Sequence, residues 1–211
     1  MYLCNLNFCT STSMKKILFI AVFAVLGLSA GAQQVSTRAK ALRLKDYARP
    51  EYMVADVKIL ADTLTVYSLS DYVIYPFGKW NTLEEYITNT ELQWYREVGY
   101  KKFMGNMEVS VNTLKRIDDS FIDIYRSITT GKVEMLSAKI TDPEVVFKNG
   151  LHVGMTMQEV YLTYFTKFLK SYVVNVNVLK IVSGGGEVSQ IYTFKGNKLR
   201  HLQVRSDYKF Y

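Results

Sequence analysis

Cysteine and histidine are scarce in this chain, and their scarcity excludes several kinds of site. The 211 residues include two cysteines, Cys4 and Cys9, and two histidines, His152 and His201. Both cysteines lie upstream of Met14, within the segment interpreted below as a cleaved secretion signal, so we expect the remaining chain to have no disulfide and no thiol chemistry. A metal centre of histidine and cysteine needs more ligands than these. We therefore predict no metal and no cofactor, unless the fold brings the two histidines together beside a carboxylate.

Runs of like charge are absent as well. The formal net charge is +7, but lysine and arginine alternate with aspartate and glutamate along most of the sequence. A nucleic-acid-binding arm would need a basic block, so we do not expect a nucleic-acid partner. The basic cluster of Lys195, Lys198, Arg200 and Arg205 is read as a solvated sheet edge that lysine protects from aggregation, with an acidic partner or membrane surface as the alternative.

The longest apolar run is too short to cross a bilayer. Met14-Lys15-Lys16 precedes an apolar stretch over residues 17–28, and Ala30-Gly31-Ala32 follows. A basic start, a short apolar segment and a small-x-small site are typical of a secretory signal peptide, whereas a membrane span needs roughly 20 apolar residues. We predict a signal peptide over residues 1–32 that is cleaved after Ala32, with translation starting at Met1 or Met14. The expected destination is periplasmic or extracellular, without stable membrane insertion.

The sequence contains one supersecondary pattern twice. Each copy has a Thr-x-x-Glu helix start, an alternating strand, and a hairpin with a glycine in its turn. The threonine oxygen caps a first-turn amide while the glutamate reaches back to the cap. Period-two alternation of apolar residues indicates a strand with one buried face. The first copy comprises Thr82–Glu85, Glu108–Lys115, Ile124–Ser127 and Val133–Leu136; the second comprises Thr156–Glu159, Asn175–Lys180, Ile191–Phe194 and Leu199–Val204.

The repeat predicts an α+β fold. Two tandem units, each a helix or helix pair followed by an antiparallel meander, would join into one larger sheet with helices on one face. The boundaries are 33–52 for a flexible N-terminal segment, 53–142 for the first unit and 143–211 for the second. Further predicted elements are a hairpin of Val57–Leu60 and Leu64–Tyr67, strands at Asp71–Tyr75 and Val145–Val153, an apolar helical stripe from Met157 to Leu169, and a second helical piece at Glu91–Val98.

The entry to the second helix resembles a known signature. Leu151–Val160 is similar to the strand, Gly-Met-Thr and x-x-Glu-Val helix of the SmpA/BamE type of bacterial envelope protein. A tandem copy of that unit resembles the β-lactamase inhibitor protein (BLIP-like) fold, which implies a joined sheet with a concave aromatic face for a partner. The first copy departs from the pattern at Gly78–Thr82, and both groups' cysteines are absent here.

Aromatic residues, in contrast to cysteine and histidine, are abundant in this chain. The chain has 16 tyrosines, 11 phenylalanines and 2 tryptophans. Tyrosine combines a large rigid ring with a polar tip, which suits recognition surfaces. A two-residue turn at Gly196-Asn197 would pair Phe194 with Leu199 and Tyr192 with His201. The candidate binding residues are Tyr125, Tyr192, Phe194, His201, Trp80 and Trp94; we expect Tyr125, Tyr192 and His201 to face outward, although a place in the core explains them equally well.

Three functions remain open from the sequence. The first is a non-enzymatic module that recognises another envelope protein through an aromatic sheet face. The second is a periplasmic glycan- or small-ligand-binding protein, which needs a concave pocket with Trp80 or Trp94 beside Asp, Asn or Arg side chains. The third is an envelope hydrolase with His152 or His201 bound to a carboxylate in a cleft. Without a Gly-x-Ser-x-Gly motif, we do not expect an enzyme.

Overall fold

The computed structural model describes residues 36–89, 94–103, 107–116 and 119–207. The predicted signal peptide, its cleavage site and the start at Met14 lie outside these residues. The chain divides into two units, residues 1–40 and 41–211. Of the first unit, residues 36–40 are described, and they are helical. Among the described residues no helix is both long and apolar enough to cross a membrane.

The second unit is an α+β domain built on one mixed sheet of nine strands. Residues 41–45 are helical (α1). The other helices are α2 (Leu83–Asn89) and α3 (Met157–Tyr164), with single 3-10 turns at Pro50–Tyr52, Asp71–Val73 and Lys170–Tyr172. The strands are β1 (Val54–Leu60), β2 (Thr63–Ser68), β3 (Tyr95–Phe103), β4 (Met107–Lys115), β5 (Phe121–Arg126), β6 (Val133–Ile140), β7 (Val178–Ser183), β8 (Val188–Lys195) and β9 (Lys198–Ser206).

The strand order is β1-β2-β7-β8-β9-β6-β5-β4-β3. β2 and β7 are parallel, while every other neighbouring pair is antiparallel. The predicted β1–β2 hairpin is confirmed, with its turn at Ala61-Asp62. Since β2 and β3 lie near opposite edges of the sheet, the chain between them crosses it; the described residues of this crossing segment are 69–89 and 94. That crossing segment carries Trp80 and Trp94.

The helix starts follow the predicted capping chemistry. Thr156 Oγ1 accepts from the Glu159 amide (3.2 Å), and the Thr156 amide donates to Glu159 Oε2 (2.6 Å). At α2, Thr82 Oγ1 accepts from the Glu85 amide (3.2 Å), but Glu85 Oε2 accepts from the amide of Asn81. Both helices therefore begin where the Thr-x-x-Glu motif places them.

Four predicted elements differ in the structure. Asp71–Val73 is a 3-10 turn, and no strand forms over residues 145–153. Residues 95–98 belong to β3, because their backbones pair with residues 112–115 of β4; residues 91–93 lie outside the described chain. α3 ends at Tyr164, where the Phe165 backbone is extended and the apolar stripe leaves the helix.

The segment over residues 33–52 was predicted to be flexible, and its residues 41–52 pack into the domain. Ala41 and Leu44 are buried in the main core, at the spacing of one helical face. The Arg49 amide donates to the Tyr164 carbonyl (2.9 Å), and the Thr166 amide donates to the Tyr47 carbonyl (2.8 Å). Contacts far along the chain, rather than local periodicity, hold this segment.

The core lies mainly against one face of the sheet. Buried side chains of α1, α2 and α3 join those of β1, β2 and β4–β9 in one cluster, exemplified by Leu44, Tyr86, Tyr164 and Leu202. A smaller cluster of Val109, Val111, Tyr125 and Leu136 is separate. Tyr125 and Leu136 directly follow core residues Ile124 and Met135 along their strands, so they point to the opposite face.

Candidate functional site

One concavity of the domain is an aromatic cleft of about 880 Å³. We call it the Trp80–Trp94 cleft. Its walls come from the 3-10 turn at residues 50–52, the crossing segment and the loop between β6 and α3. The lining residues are Glu51, Tyr52, Ser70, Asp71, Tyr72, Tyr75, Phe77, Gly78, Lys79, Trp80, Trp94, Glu144, Val146, Lys148 and Asn149.

Both tryptophans of the chain line this cleft, and both are half-buried. The Trp80 carbonyl accepts from the Val133 amide (2.9 Å), which ties the crossing segment to the start of β6. The Arg116 guanidinium lies 5.8 Å from the ring centre of Trp94. Each indole N–H is buried without an acceptor among the described residues. Such an unpaired donor costs about 1–3 kcal/mol.

Arg116 is itself held by two carboxylates. Its Nε donates to Asp142 (2.7 Å), and its Nη2 donates to Glu144 (2.5 Å). Burial disfavours the charged Asp142 carboxylate, but the hydrogen bonds from Arg116 and from the Glu144 amide outweigh this and lower the pKa of Asp142 below its ordinary value. The ion pair therefore fixes the cation that faces Trp94.

Packed rings form the base of the cleft. Tyr52 meets Tyr72 edge-on with ring centres 5.8 Å apart, and its ring centre lies 4.7 Å from that of Tyr164. Phe77 meets Phe147 edge-on at 4.9 Å. Edge-to-face aromatic pairs contribute roughly 0.5–1.5 kcal/mol beyond the apolar area that they bury. The rings are thus held in fixed orientations before any ligand arrives.

A chain of side-chain hydrogen bonds runs beneath these rings. Asn149 Nδ2 donates to Tyr52 Oη (3.2 Å), and Tyr72 Oη donates to Asn149 Oδ1 (3.0 Å). Tyr164 and Tyr192 hydroxyls are 2.6 Å apart, and Tyr192 donates to Gln190 Oε1 (2.6 Å). Burial raises the pKa of Tyr72, Tyr164 and Tyr192 above the ordinary tyrosine value. These hydroxyls therefore stay protonated and act as donors and acceptors, not as bases.

The charges around the cleft are mostly paired. Lys79 binds Asp71 in an ion pair, and Glu144 is bound to Arg116. Glu51 lies 3.9 Å from Arg49. Lys148 is exposed and has no ion pair among the described residues. Since both signs are present and largely balanced, the cleft suits a neutral polar molecule better than a strongly charged one.

Of the predicted binding residues, Trp80 and Trp94 are brought together and the others are not. The expected outward orientation is wrong for Tyr125 and Tyr192, which are 3% and 0% exposed, and Phe194 is 4% exposed. Tyr125 donates to the buried carboxylate of Glu134 (3.3 Å). Tyr192 lies in the network below the cleft. These residues are therefore part of the packed interior.

The pairing predicted for Tyr192 in the last hairpin is wrong because of a β-bulge. Phe194 pairs with Leu199 as predicted, but a bulge between Thr193 and Phe194 makes Tyr192 pair with Leu202. An extra residue in one strand shifts the register and changes which side chains share a face. His201 pairs instead with Thr193 and is half-exposed.

Neither histidine lines the Trp80–Trp94 cleft. His152 Nδ1 lies 3.0 Å from the Gly150 carbonyl. Partial burial, together with nearby Lys139, lowers the pKa of His201. No group of three or more metal-binding side chains occurs among the residues that the structure describes.

Sequence reasoning did not identify Tyr52, Tyr72 or Asn149 as site residues. Tyr72 falls in Asp71–Tyr75 and Asn149 falls in Val145–Val153, and both of these segments were predicted to be strands. The available turn signals were Pro76 and Gly78, just after the first segment, and Asn149-Gly150 within the second. Nothing in local sequence indicates that residues 52 and 149 meet.

Gly78 is required where Trp80 folds back over the chain. Its φ is +108°, and a side-chain Cβ placed there would lie 3.4 Å from Trp80 Cζ2. We expect Gly78→Ala to lower the free energy of unfolding by about 1–3 kcal/mol through backbone strain and to displace Trp80. Denaturant unfolding followed by tryptophan emission measures both effects.

Gly99→Ala is the matched control, because Gly99 has no positive φ and nothing within 4 Å of its added Cβ. This change should alter stability by less than about 0.5 kcal/mol. Equal shifts in the two variants would contradict a special role for Gly78.

Comparison with known proteins finds no family model, no curated protein and no solved structure that matches this chain.

Proposed function

We propose that this chain is a non-enzymatic binding protein whose Trp80–Trp94 cleft takes a small neutral saccharide. The observation that carries the proposal is that the two tryptophans of the crossing segment line one cleft with Tyr72, Asp71 and Asn149. Ligand sites typically combine apolar and aromatic walls with a few placed polar groups.

The chemistry of the lining matches a sugar ring. The C–H face of a pyranose is apolar and packs on an aromatic ring, while its edge hydroxyls need donors and acceptors. Asn149 and Tyr72 supply neutral hydrogen-bonding groups, and Asp71 supplies a carboxylate at the rim.

The same lining argues against catalysis at this site. The lining carboxylates Glu51, Asp71 and Glu144 are exposed, and the latter two hold Lys79 and Arg116 in ion pairs. A glycosidase needs one carboxylic acid in an environment that keeps it protonated. The buried tyrosine hydroxyls have raised pKa values and cannot serve as bases near neutral pH.

Recognition of an envelope protein is the second candidate, and it is favoured by the edge strand β3. Tyr95 and Tyr100 are 75% and 72% exposed there, with Val98 between them at 53%. An unpaired edge can accept a strand from another chain. Loss of a partner from an envelope-extract pull-down on Tyr95→Ala/Tyr100→Ala, but not on Tyr67→Ala, would support this function over the first.

The proposed setting is the bacterial cell envelope, reached by means of the signal peptide over residues 1–32. We also propose that α2 with β3–β6 and α3 with β7–β9 are two tandem units of the BLIP-like kind. Both runs of strands are antiparallel and meet at the β6–β9 pair, which supports the proposal.

A fluorescence titration tests the saccharide site, because both tryptophans of the sequence lie in the cleft. We expect maltose, cellobiose or N,N′-diacetylchitobiose to change the emission of the protein. Trp80→Ala should weaken binding by about tenfold, the size of the loss of roughly 1.5 kcal/mol of aromatic contact. In Trp80→Ala the fluorescence of Trp94 still reports binding. In the companion variant Trp94→Ala the fluorescence of Trp80 does so.

Trp80→Phe should retain much of the affinity, since it keeps a ring at the wall. Tyr100→Ala serves as the control, because Tyr100 is exposed and does not line the cleft. The proposal is wrong if no sugar changes the emission or gives heat in calorimetry up to roughly 10 mM, where the binding free energy would be under about 3 kcal/mol.

A further inference from the structure

A second concavity of about 320 Å³ lies between the start of α2 and the strands at one side of the sheet. We call it the arginine pocket. The lining residues are Asn81, Thr82, Leu83, Glu84, Arg96, Ser110, Asn112, Tyr125, Arg126 and Val133. Nothing assigned to the Trp80–Trp94 cleft contributes a side chain to it.

Strand register explains why its polar residues come together. Asn112 of β4 pairs with Val98 of β3, so Arg96, two residues before Val98, points to the same face. Tyr125 of β5 pairs with Val111, which places Arg126 level with Ser110 on that face. Asn112 therefore lies between the two arginines, although they come from strands that are not neighbours.

Each arginine is already oriented by the protein. Arg96 Nε donates to Asn112 Oδ1 (2.9 Å), and Arg126 Nε donates to the Gly131 carbonyl (3.3 Å). The terminal Nη groups of both have no partner among the described residues, and Asn112, 6% exposed, keeps its amide nitrogen unpaired there as well. A guanidinium held through Nε with its outer donors open needs little reordering to bind a planar or tetrahedral anion.

The charge of the lining favours an anion. Two arginines face one carboxylate, Glu84, and no ion pair within 4.0 Å joins them in the described chain. We propose that the arginine pocket binds an anionic group, a carboxylate or a phosphate or sulfate oxyanion, of a small ligand. The proposal does not depend on the saccharide site.

Inorganic phosphate and acetate, titrated at low ionic strength, are the probes. We expect the Arg96 and Arg126 side-chain N–H signals to shift in NMR spectra. Arg96→Gln and Arg126→Gln should each weaken binding by about tenfold, because each removes charge-assisted hydrogen bonds to the anion. Raising the salt to about 0.15 M should weaken binding further by screening.

Glu84→Gln is the complementary variant, because it removes the opposing charge without deleting a ligand group. It should tighten binding by about two- to fivefold, a gain that misfolding cannot produce. Arg200→Gln is the control, since Arg200 is exposed on β9 and outside the pocket. Glu84→Gln and Arg200→Gln should each leave the midpoint of thermal unfolding unchanged.

Glucuronate and glucose 6-phosphate, compared with glucose, distinguish the source of the anion. Stronger binding of the phosphate sugar would identify a phosphoryl ligand, and preference for glucuronate would identify a carboxylate. The proposal is overturned if neither phosphate nor acetate shifts the arginine signals. It is also overturned if the double variant Arg96→Gln/Arg126→Gln binds as tightly as Arg200→Gln.

Discussion

Replacing Tyr192 with alanine is expected to lower the free energy of unfolding by about 3–5 kcal/mol, the range for truncating a large buried aromatic side chain. The ring is fully buried, and its hydroxyl connects Tyr164 with Gln190. Gln190 in turn donates to the carbonyls of Tyr72 and Val73, which begin the crossing segment. Removing Tyr192 therefore leaves a cavity and two polar groups without their partner.

Tyr192→Phe separates these contributions. It keeps the ring and should lower stability by about 1–3 kcal/mol, because Gln190 Oε1 loses its donor inside the core. Tyr95→Ala, at a side chain that is 75% exposed, should change stability by less than about 0.5 kcal/mol. Urea unfolding midpoints for the three variants test the order. A Tyr192→Phe variant as stable as the parent would show that the hydroxyl network adds no net stability.

Asp142→Ala is expected to lower stability by about 3–5 kcal/mol at neutral pH, since it leaves the Arg116 guanidinium as a largely buried charge without its main partner. The side chains of Arg116 and Asp142 are 12% and 9% exposed. Glu144 still contacts Arg116, but its side chain is 69% exposed and faces solvent. The freed cation should also shift relative to Trp94, so tryptophan emission should change.

The pH dependence of this pair has a defined sign. The pKa of Asp142 is lower in the folded protein than in the unfolded chain. The stability that the Asp142 carboxylate contributes is therefore complete above its pKa in the unfolded chain, about 3.9. This stability is lost as the pH falls through the lower pKa of the folded protein. We expect the stability difference between the parent and Asp142→Ala to be constant between pH 7 and pH 5 and to shrink below about pH 4.

Asp119→Asn is the control for this titration. Asp119 lies 3.9 Å from Lys139, but its side chain is 90% exposed, so removing its charge should leave the unfolding midpoint nearly unchanged. If the difference between the parent and Asp142→Ala does not shrink in acid, the Arg116–Asp142 ion pair does not stabilise the fold in the way the geometry indicates.

The elements predicted correctly from sequence are those that local patterns specify. Alternation at Val176 and Val178 and at Ile191–Phe194 indicated strands. β7 begins at Val178, and β8 includes all of Ile191–Phe194. The threonine caps marked the start of α2 and α3 because a cap depends on residues three positions apart. The Gly196-Asn197 turn was also local, with positive φ at both residues.

The misassigned elements depended on distant partners. Residues 95–98 carry a pattern compatible with a helix, but pairing with β4 makes them a strand. Phe165 and Phe168 continue the helical spacing of α3, yet the Ala48–Phe165 bridge holds the chain extended there. The Thr193/Phe194 bulge arises within the hairpin but reverses which partner faces Tyr192. Tertiary pairing outweighs local propensity in the first two cases.

By itself the sequence determined the fold class, most strand positions, the helix starts and the scarcity of catalytic and metal-binding side chains, because composition and short-range periodicity set these. It also identified Trp80 and Trp94 as candidates, since tryptophan is rare and large. Only the tertiary structure placed them with Tyr52, Tyr72 and Asn149 in one cleft, and Arg96 with Arg126 in one pocket. Those groupings follow from the segment that crosses the sheet and from strand register, and both are long-range consequences of how the strands pair.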